Sequence, residues 1–474
     1  MAQQLDGEAK EREITRLMGI LELDLEEKNL LPPQRNALLA ELKTHIRVVG
    51  NSGSLFTPHG VQTLSRHTFD SNSMITSREA AKCLANVLLL ESKTRQMFVD
   101  FGYPVKAAQR LKNDNREDEL LNSRILFLLT YDTAFDFSQL FEEYQLAESI
   151  NLNIIRHSKS YSKTGRRDPP TAIDTQALSE TLKLLFNLSQ YYPRQLSTLA
   201  RSAPSILKIL CRTHLATPVL QPPVTYLVNA LLNLSVHYDD EPQRDSDPNP
   251  YFPKPDQYCN IDRFISILDN AVRTYTEEQL ETLVTPLVTL LRKVFEFAPP
   301  HVRPHMQTAL LPSNAERSQP LGQSNTLASR LLRLSTSPVA PSLRESVSSL
   351  LFELSDKDAS SFVRNVGYGF ASGFLMTHDL PVPASATEGW STEQSGEDVG
   401  EKLTSVEGKE INPVTGQVRE MEPEAPEEDM TEEEKEREAE KLFVLFERLK
   451  ATGVVSVKNP VEQAVQDGRF EELD

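Results

Sequence analysis

Short runs of leucine, isoleucine, valine and alanine, each broken by single polar residues three or four positions apart, recur along the first 380 residues. That spacing predicts helices rather than strands. The runs are Ala80-Ala-Lys-Cys-Leu-Ala-Asn86-Val-Leu-Leu, Arg124-Ile-Leu-Phe-Leu-Leu-Thr130, Leu182-Lys-Leu-Leu-Phe-Asn187-Leu-Ser, Val228-Asn-Ala-Leu-Leu-Asn233-Leu-Ser and Val347-Ser-Ser-Leu-Leu-Phe-Glu353-Leu-Ser, with Thr285-Pro-Leu-Val-Thr-Leu-Leu-Arg-Lys-Val-Phe295 as a sixth member. They return at irregular intervals of roughly 45 to 60 residues, the period of armadillo or HEAT units carrying inserted loops. Each is apolar over most of its circumference, as expected of the innermost helix of a stacked repeat. The expectation for residues 1–380 is an all-α, armadillo/HEAT-like solenoid, with polar loops inserted near 158–174, 239–255 and 300–325.

The pattern changes near residue 381. Residues 381–429 are rich in Glu, Ser, Thr, Gly and Pro, a composition that predicts a flexible acidic tether. Periodicity resumes at 430–452. Thr431 and Glu434 form a capping box, and Ala439, Leu442, Leu445, Phe446 and Leu449 fall on one stripe among Glu438, Glu440, Lys441, Glu447 and Lys450. This is a terminal amphipathic helix followed by a tail at 453–474, and its stripe needs a partner, either the body of the chain or another protein.

Charge narrows the partner. The net charge is -18, and residues 387–440 hold 19 acidic against 5 basic positions. Nucleic acid and anionic membrane surfaces both demand concentrated positive charge, so neither is expected as the main partner. Cys83, Cys211 and Cys259 lie far apart and suggest neither a disulfide framework nor a zinc site. The polar N-terminus has no signal-peptide core, and no apolar run approaches the roughly 20 residues that span a bilayer. A cytoplasmic protein is expected, acting as a monomer.

Signatures of chemistry are missing. There is no phosphate loop, no His-Glu-x-x-His, no Cys-x-x-Cys and no Gly-x-Ser-x-Gly, so neither covalent catalysis nor a cofactor or metal is expected. Val366-Gly-Tyr-Gly-Phe-Ala-Ser-Gly373 is dense in glycine, but it follows a solenoid helix rather than a strand, which favours close backbone packing between the final repeat and the tail over a nucleotide cradle. In a solenoid the inner helices line a groove. Asn86, Asn187 and Asn233 can present amides there to the backbone of a bound peptide, or can satisfy neighbouring backbone within the solenoid. Ser395-Gly-Glu-Asp398 and Thr404-Ser-Val-Glu407 suit an acid-directed kinase, and Arg330, Arg333 and Arg344 are candidate docks for the phosphate.

Several of these pieces together resemble one known family. Lys82-Cys-Leu-Ala-Asn86, Arg124-Ile-Leu-Phe-Leu-Leu-Thr130, Leu184-Leu-Phe-Asn187, Val366-Gly-Tyr-Gly369 with Ala371 and Gly373, Ile411-Asn-Pro-Val-Thr-Gly416 and Met430-Thr-Glu-Glu-Glu-Lys-Glu occur in the order seen in synembryns. These are cytosolic exchange factors and folding chaperones for heterotrimeric G-protein alpha subunits. The long loops near 158 and 300–325 suggest a fungal or otherwise divergent member. The resemblance implies a solenoid that captures the C-terminal helix of the alpha subunit in its groove while the tail helix braces the nucleotide domain. GDP then leaves, the nucleotide-free state is held until GTP binds, and a nascent subunit is chaperoned by the same clamp. It further implies that Asn86, Arg124 and Asn187 lie on the groove helices and that Leu442, Leu445, Phe446 and Leu449 form the bracing face; Asn233 is a groove candidate by its place in the repeat alone. Membrane association would come through the G protein. Ser395 matches the family's acidic phosphoserine position; the second phosphorylated position of animal members is Gly400 here, with Thr404 nearby as a substitute. The rival reading is an armadillo-type peptide-binding adaptor whose acidic tail is autoinhibitory.

Overall fold

The leucine-rich runs fold into helices because their ends carry start signals and their middles bury leucine on nearly every side. In the computed structural model Asn115 accepts from the backbone amides of Glu117 and Asp118, Ser73 from Thr76, and Thr171 forms a capping box with Asp174. Side-chain oxygens thus satisfy amides that a helix start leaves unpaired. The structure describes residues 7–46, 53–162, 165–166, 170–240, 249–383, 404, 408–422 and 437.

Seven helices stack consecutively into one row: Pro32–Ile46, Met74–Leu90, Arg116–Leu129, Ala172–Tyr191, Val224–Asp240, Thr285–Glu296 and Pro341–Glu353. All six runs read from the sequence lie in this row, and Pro32–Ile46 adds a member before them. A second layer packs behind, with Pro58–Phe69 on the second row helix, Leu146–Lys159 on the fourth, Ala203–Arg212 on the fifth and Cys259–Thr274 on the sixth. The result is the all-α solenoid expected. In the fourth row helix Leu178, Leu182, Leu184, Leu185 and Leu188 are buried, each contributing about 1.5–3 kcal/mol of transfer free energy. One narrow stripe of each row helix stays accessible.

Two of the predicted loop insertions are less loop-like than their composition suggests. Within 239–255 the Tyr251 side chain is fully buried and donates its hydroxyl to the Leu231 carbonyl at 2.7 Å, while Phe252 is buried beside it. Within 300–325 Arg303–Leu310 is a helix, and Met306, Leu310, Arg317 and Leu321 are all buried. Aromatic and leucine anchors win over the surrounding Pro, Ser and Asp because burying them offsets the cost of ordering the loop. Near 158–174 the described residues form a minimal hairpin, Tyr161–Ser162 against Gly165–Arg166.

The boundary of the tether also moves. Residues 408–421, placed by composition in a flexible segment, pack as a strap against residues 317–321 and 367–369. Ile411, Gln417 and Val418 are buried. The amides of Tyr368 and Gly369 donate to the carbonyls of Pro413 and Val414 at 2.7 and 3.0 Å. They open the helix Tyr368–Thr377, so the strap caps a helix that has no side-chain cap of its own. This is the close backbone packing that the glycine density around Gly367 and Gly369 suggested. Gly367 has φ of +81°, and a Cβ there would come within 3.0 Å of the Val414 carbonyl oxygen. Contacts divide the chain into residues 1–421 and 422–474. In the second unit only Glu422 and Arg437 are described, so Leu442, Leu445, Phe446 and Leu449 lie outside the described residues, as does Ser395.

Candidate functional site

The accessible faces of the row helices carry two kinds of surface. Between the first three row helices the surface is charged and cross-linked. Glu79 accepts from Lys43 and Lys82, both at 2.7 Å, Lys82 reaches Glu117 at 2.6 Å, and Arg78 meets buried Asp118 at 2.7 Å. Burial pushes the Glu79 carboxyl up, but its hydrogen bonds from Lys43 and Lys82 outweigh that and leave its pKa below the ordinary value. For Lys82, burial pulls the pKa down and the hydrogen bonds to Glu117 and Glu79 carry it above. Both shifts favour the charged forms of Glu79 and Lys82, and the pairs stitch the first three row helices together.

Other accessible side chains of the row are apolar. Leu89, Leu90, Tyr131, Tyr191 and Val236 are exposed large side chains at the ends of the second to fifth row helices. Between the third, fourth and fifth row helices lies a pocket of about 350 Å³ lined by Phe127, Tyr131, Leu182, Lys183, Phe186, Asn187, Tyr226 and Asn229. Lys183 forms its centre. Its ammonium stands 5.6 Å from the Phe127 ring centroid and 5.1 Å from that of Tyr226, and it pairs with Glu180 at 2.8 Å. The same Glu180 oxygen, Oε1, also accepts from Arg124 at 2.9 Å. The Asn229 Oδ1 is buried and has no hydrogen-bond partner among the described residues. An unpaired buried acceptor is costly, so a ligand donating to it would gain affinity. A larger opening of about 630 Å³ lies between the sixth and seventh row helices, but its charges are mostly engaged locally: Lys293 pairs with Glu296 at 2.9 Å, Lys357 with Glu353 at 3.3 Å, and Arg303 donates to the Glu296 carbonyl at 2.9 Å.

The residues singled out from sequence divide between these surroundings. Arg124 is partly exposed on the stripe. Asn86 lies on the same stripe of the second row helix, half-buried and with no side-chain hydrogen bond among the described residues. Asn187 is only 5% exposed and donates to Thr130 Oγ1 at 2.7 Å. Asn233 donates to the Phe186 carbonyl and to Ser189 Oγ at 3.0 and 3.2 Å. The last two thus bond row helix to row helix, the internal alternative read from the sequence, although Asn187 also forms part of the pocket wall. Arg330 donates to the Asn325 carbonyl at 3.4 Å, Arg333 to the carbonyls of Gly322 and Ser324, and Arg344 to that of Ser337 at 3.3 Å. None of the three forms an ion pair among the described residues. Thr404 is exposed and bridges to Glu410.

Sequence reasoning missed the aromatic wall and Lys183. The signal was present: Phe127, Lys183 and Phe186 interrupt the leucine runs at the positions that the helical period leaves outside the core. Among the described residues no cluster of three or more potential metal ligands occurs and no helix is long and apolar enough to cross a membrane.

Comparison with known proteins identifies the family. Residues 38–469 match the family model described as guanine nucleotide exchange factor synembryn. The chaperone Ric-8A of Xenopus tropicalis is 27% identical over 98% of this chain and 90% of its own length, and that of Gallus gallus is 26% identical over 97% and 90%. A synembryn-like chaperone of Schizosaccharomyces pombe is 30% identical over 40% of this chain and 35% of that protein. The chain belongs to the synembryn family of guanine nucleotide exchange factors.

Proposed function

We propose that the accessible stripe of the row helices captures the C-terminal helix of a G-protein alpha subunit, and that the chain thereby releases GDP and chaperones the nucleotide-free subunit. The observation that carries this reading is that the row presents both charged pairs and an aromatic-walled pocket on accessible surface. An amphipathic helix laid across the row would set its apolar side on Phe127, Tyr131, Phe186 and Tyr226 and its polar side on the pairs around Lys82, Arg124 and Glu180. Exchange needs no bond to be made or broken. A partner that binds the nucleotide-free conformation more tightly shifts the population toward it, and GTP reverses the shift.

Asn86 and Arg124 would contact the captured helix directly, with Asn187 and Asn233 holding the helices that present them. Leu442, Leu445, Phe446 and Leu449 would brace the nucleotide domain, and phosphates on Ser395 or Thr404 would dock on Arg330, Arg333 and Arg344. The protein would work in the cytoplasm and reach the membrane only through its partner. An adaptor gripping peptide backbones would need a ladder of free amides, whereas Asn187 and Asn233 commit their donors inside the solenoid.

The test is the rate of GDP release from a purified alpha subunit. The intact chain accelerates it, and Phe186→Ala with Tyr226→Ala reduces the acceleration at least tenfold, because these aromatics bury large area at the contact. Leu445→Ala with Phe446→Ala reduces it as well. No acceleration of any alpha-subunit class by folded protein would leave the adaptor reading in its place.

A further inference from the structure

The strap is built like a bound peptide. Residues 411–418 first organise themselves: Asn412 Oδ1 accepts from the amides of Val414 and Thr415 at 2.9 and 3.3 Å, the Gly416 amide donates to the Asn412 carbonyl at 2.8 Å, and Ile411 bridges to Val418. This turn then meets its seat almost wholly through main chain. Leu321 donates its amide to the Thr415 carbonyl at 3.0 Å, and Val418 donates to the Arg317 carbonyl at 2.9 Å. Pro413 and Val414 cap the amides of Tyr368 and Gly369. Two side chains complete the contact, Arg317 donating to the Gly416 carbonyl at 2.9 Å and Gln417 donating to the Ser318 carbonyl at 3.1 Å.

Selectivity is steric. Gly416 has φ of +68°, and a Cβ there would come within 2.4 Å of Leu321 Cδ1. No β-carbon fits that point of the seat without displacing it. Arg317 is only 4% exposed and its guanidinium also donates to the carbonyls of Arg364 and Asn365 at 2.9 and 3.0 Å. Burial pulls its pKa down. No carboxylate forms an ion pair with it among the described residues, so strap carbonyl and solenoid carbonyls share the task of solvating a buried cation.

We propose that this seat is a peptide-recognition site in its own right, that its ligand is the Asn-Pro-Val-Thr-Gly-Gln turn of the same chain, and that the contact holds the C-terminal tail on the solenoid independently of the covalent link through residues 384–407. The seat reads a preorganised turn by backbone and excludes side chains at one point, the mode of a domain that binds a short linear segment. The inference does not depend on the exchange reading, since it concerns attachment alone.

A site for a sequence-specific protease inserted between Gly400 and Glu401 of the full chain tests it. After complete cleavage the fragment beginning at Glu401 co-elutes with the solenoid at micromolar concentration. In the same protein carrying Gly416→Val the fragment separates, its retention at least tenfold weaker. Arg317→Ala on the seat side gives the same release; if that variant disturbs the end of the solenoid, Gly416→Val decides, because it alters the strap only. Separation of the unsubstituted fragment on cleavage overturns the proposal. So does co-elution of the Gly416→Val fragment, which would place the attachment elsewhere in the tail.

Discussion

Glu119 is a buried carboxylate bonded to three different helices. It is 1% exposed, accepts from His157 at 3.0 Å and Thr181 at 2.9 Å, and pairs with Arg116 at 2.8 Å, so it joins the third and fourth row helices to Leu146–Lys159. Burial raises its pKa, but His157 and then Arg116 outweigh that and hold it below the ordinary value of 4.5. A depressed folded-state pKa means stability that is fully present above the unfolded value and lost as pH falls through the folded one. Glu119→Gln should therefore flatten the acid side of the melting-temperature profile. At neutral pH it should cost about 2 kcal/mol, since an amide cannot reproduce the charge-assisted hydrogen bonds that Arg116 and Thr181 donate to the carboxylate. Urea unfolding across the acid range reads both effects, and an unchanged acid limb would remove Glu119 as its source. For the asparagines, Asn187→Ala should lose about 1 kcal/mol of stability from the missing bond to Thr130, with a smaller effect on partner affinity than Phe186→Ala with Tyr226→Ala. The reverse ranking in calorimetric binding would return Asn187 to direct contact.

At the scale of elements, the row helices were readable because each carries leucines at the helical period and most begin on a Ser, Asn, Thr or Pro start signal. Their order in the stack followed, since consecutive repeats pack on neighbours. Which polar positions face outward was less readable. Asn187 and Lys183 lie one helical turn apart, yet the first is nearly buried and the second sits among rings, and a small rotation of the helix would exchange them. The strap was legible only in part: the glycine density at 366–373 pointed to backbone packing on the tail, but composition put residues 408–421 in a flexible tether. It has no period, is rich in Gly and Pro, and takes its shape from partners such as Arg317, 99 residues away from Gly416. At this scale Lys183→Glu should weaken capture of the partner helix more than Lys183→Met. The first places a second carboxylate beside Glu180, whereas the second keeps the apolar stem against Phe127 and Tyr226. Equal effects of the two would mean that the charge at this point carries no part of recognition.

Across the whole molecule, stability in a stacked array is a sum of local terms and neighbour interfaces, so an injury at one end stays near that end. Gly416→Val should raise hydrogen exchange in Ala359–Val366 and Tyr368–Thr377 while leaving Ala172–Tyr191 protected. Exchange rising equally along the row would show that the strap supports the entire stack. The strap also ties the end of the solenoid to the order in which the chain is made. The amide of Tyr368 waits for the carbonyl of Pro413, 45 residues downstream. At the usual pace of protein synthesis that is a delay of roughly 2 to 9 s. During that interval the earlier repeats can finish packing while the last helix lacks its cap. The protein thus passes through a stage, while still on the ribosome, in which a nearly complete fold waits for a late segment to close it.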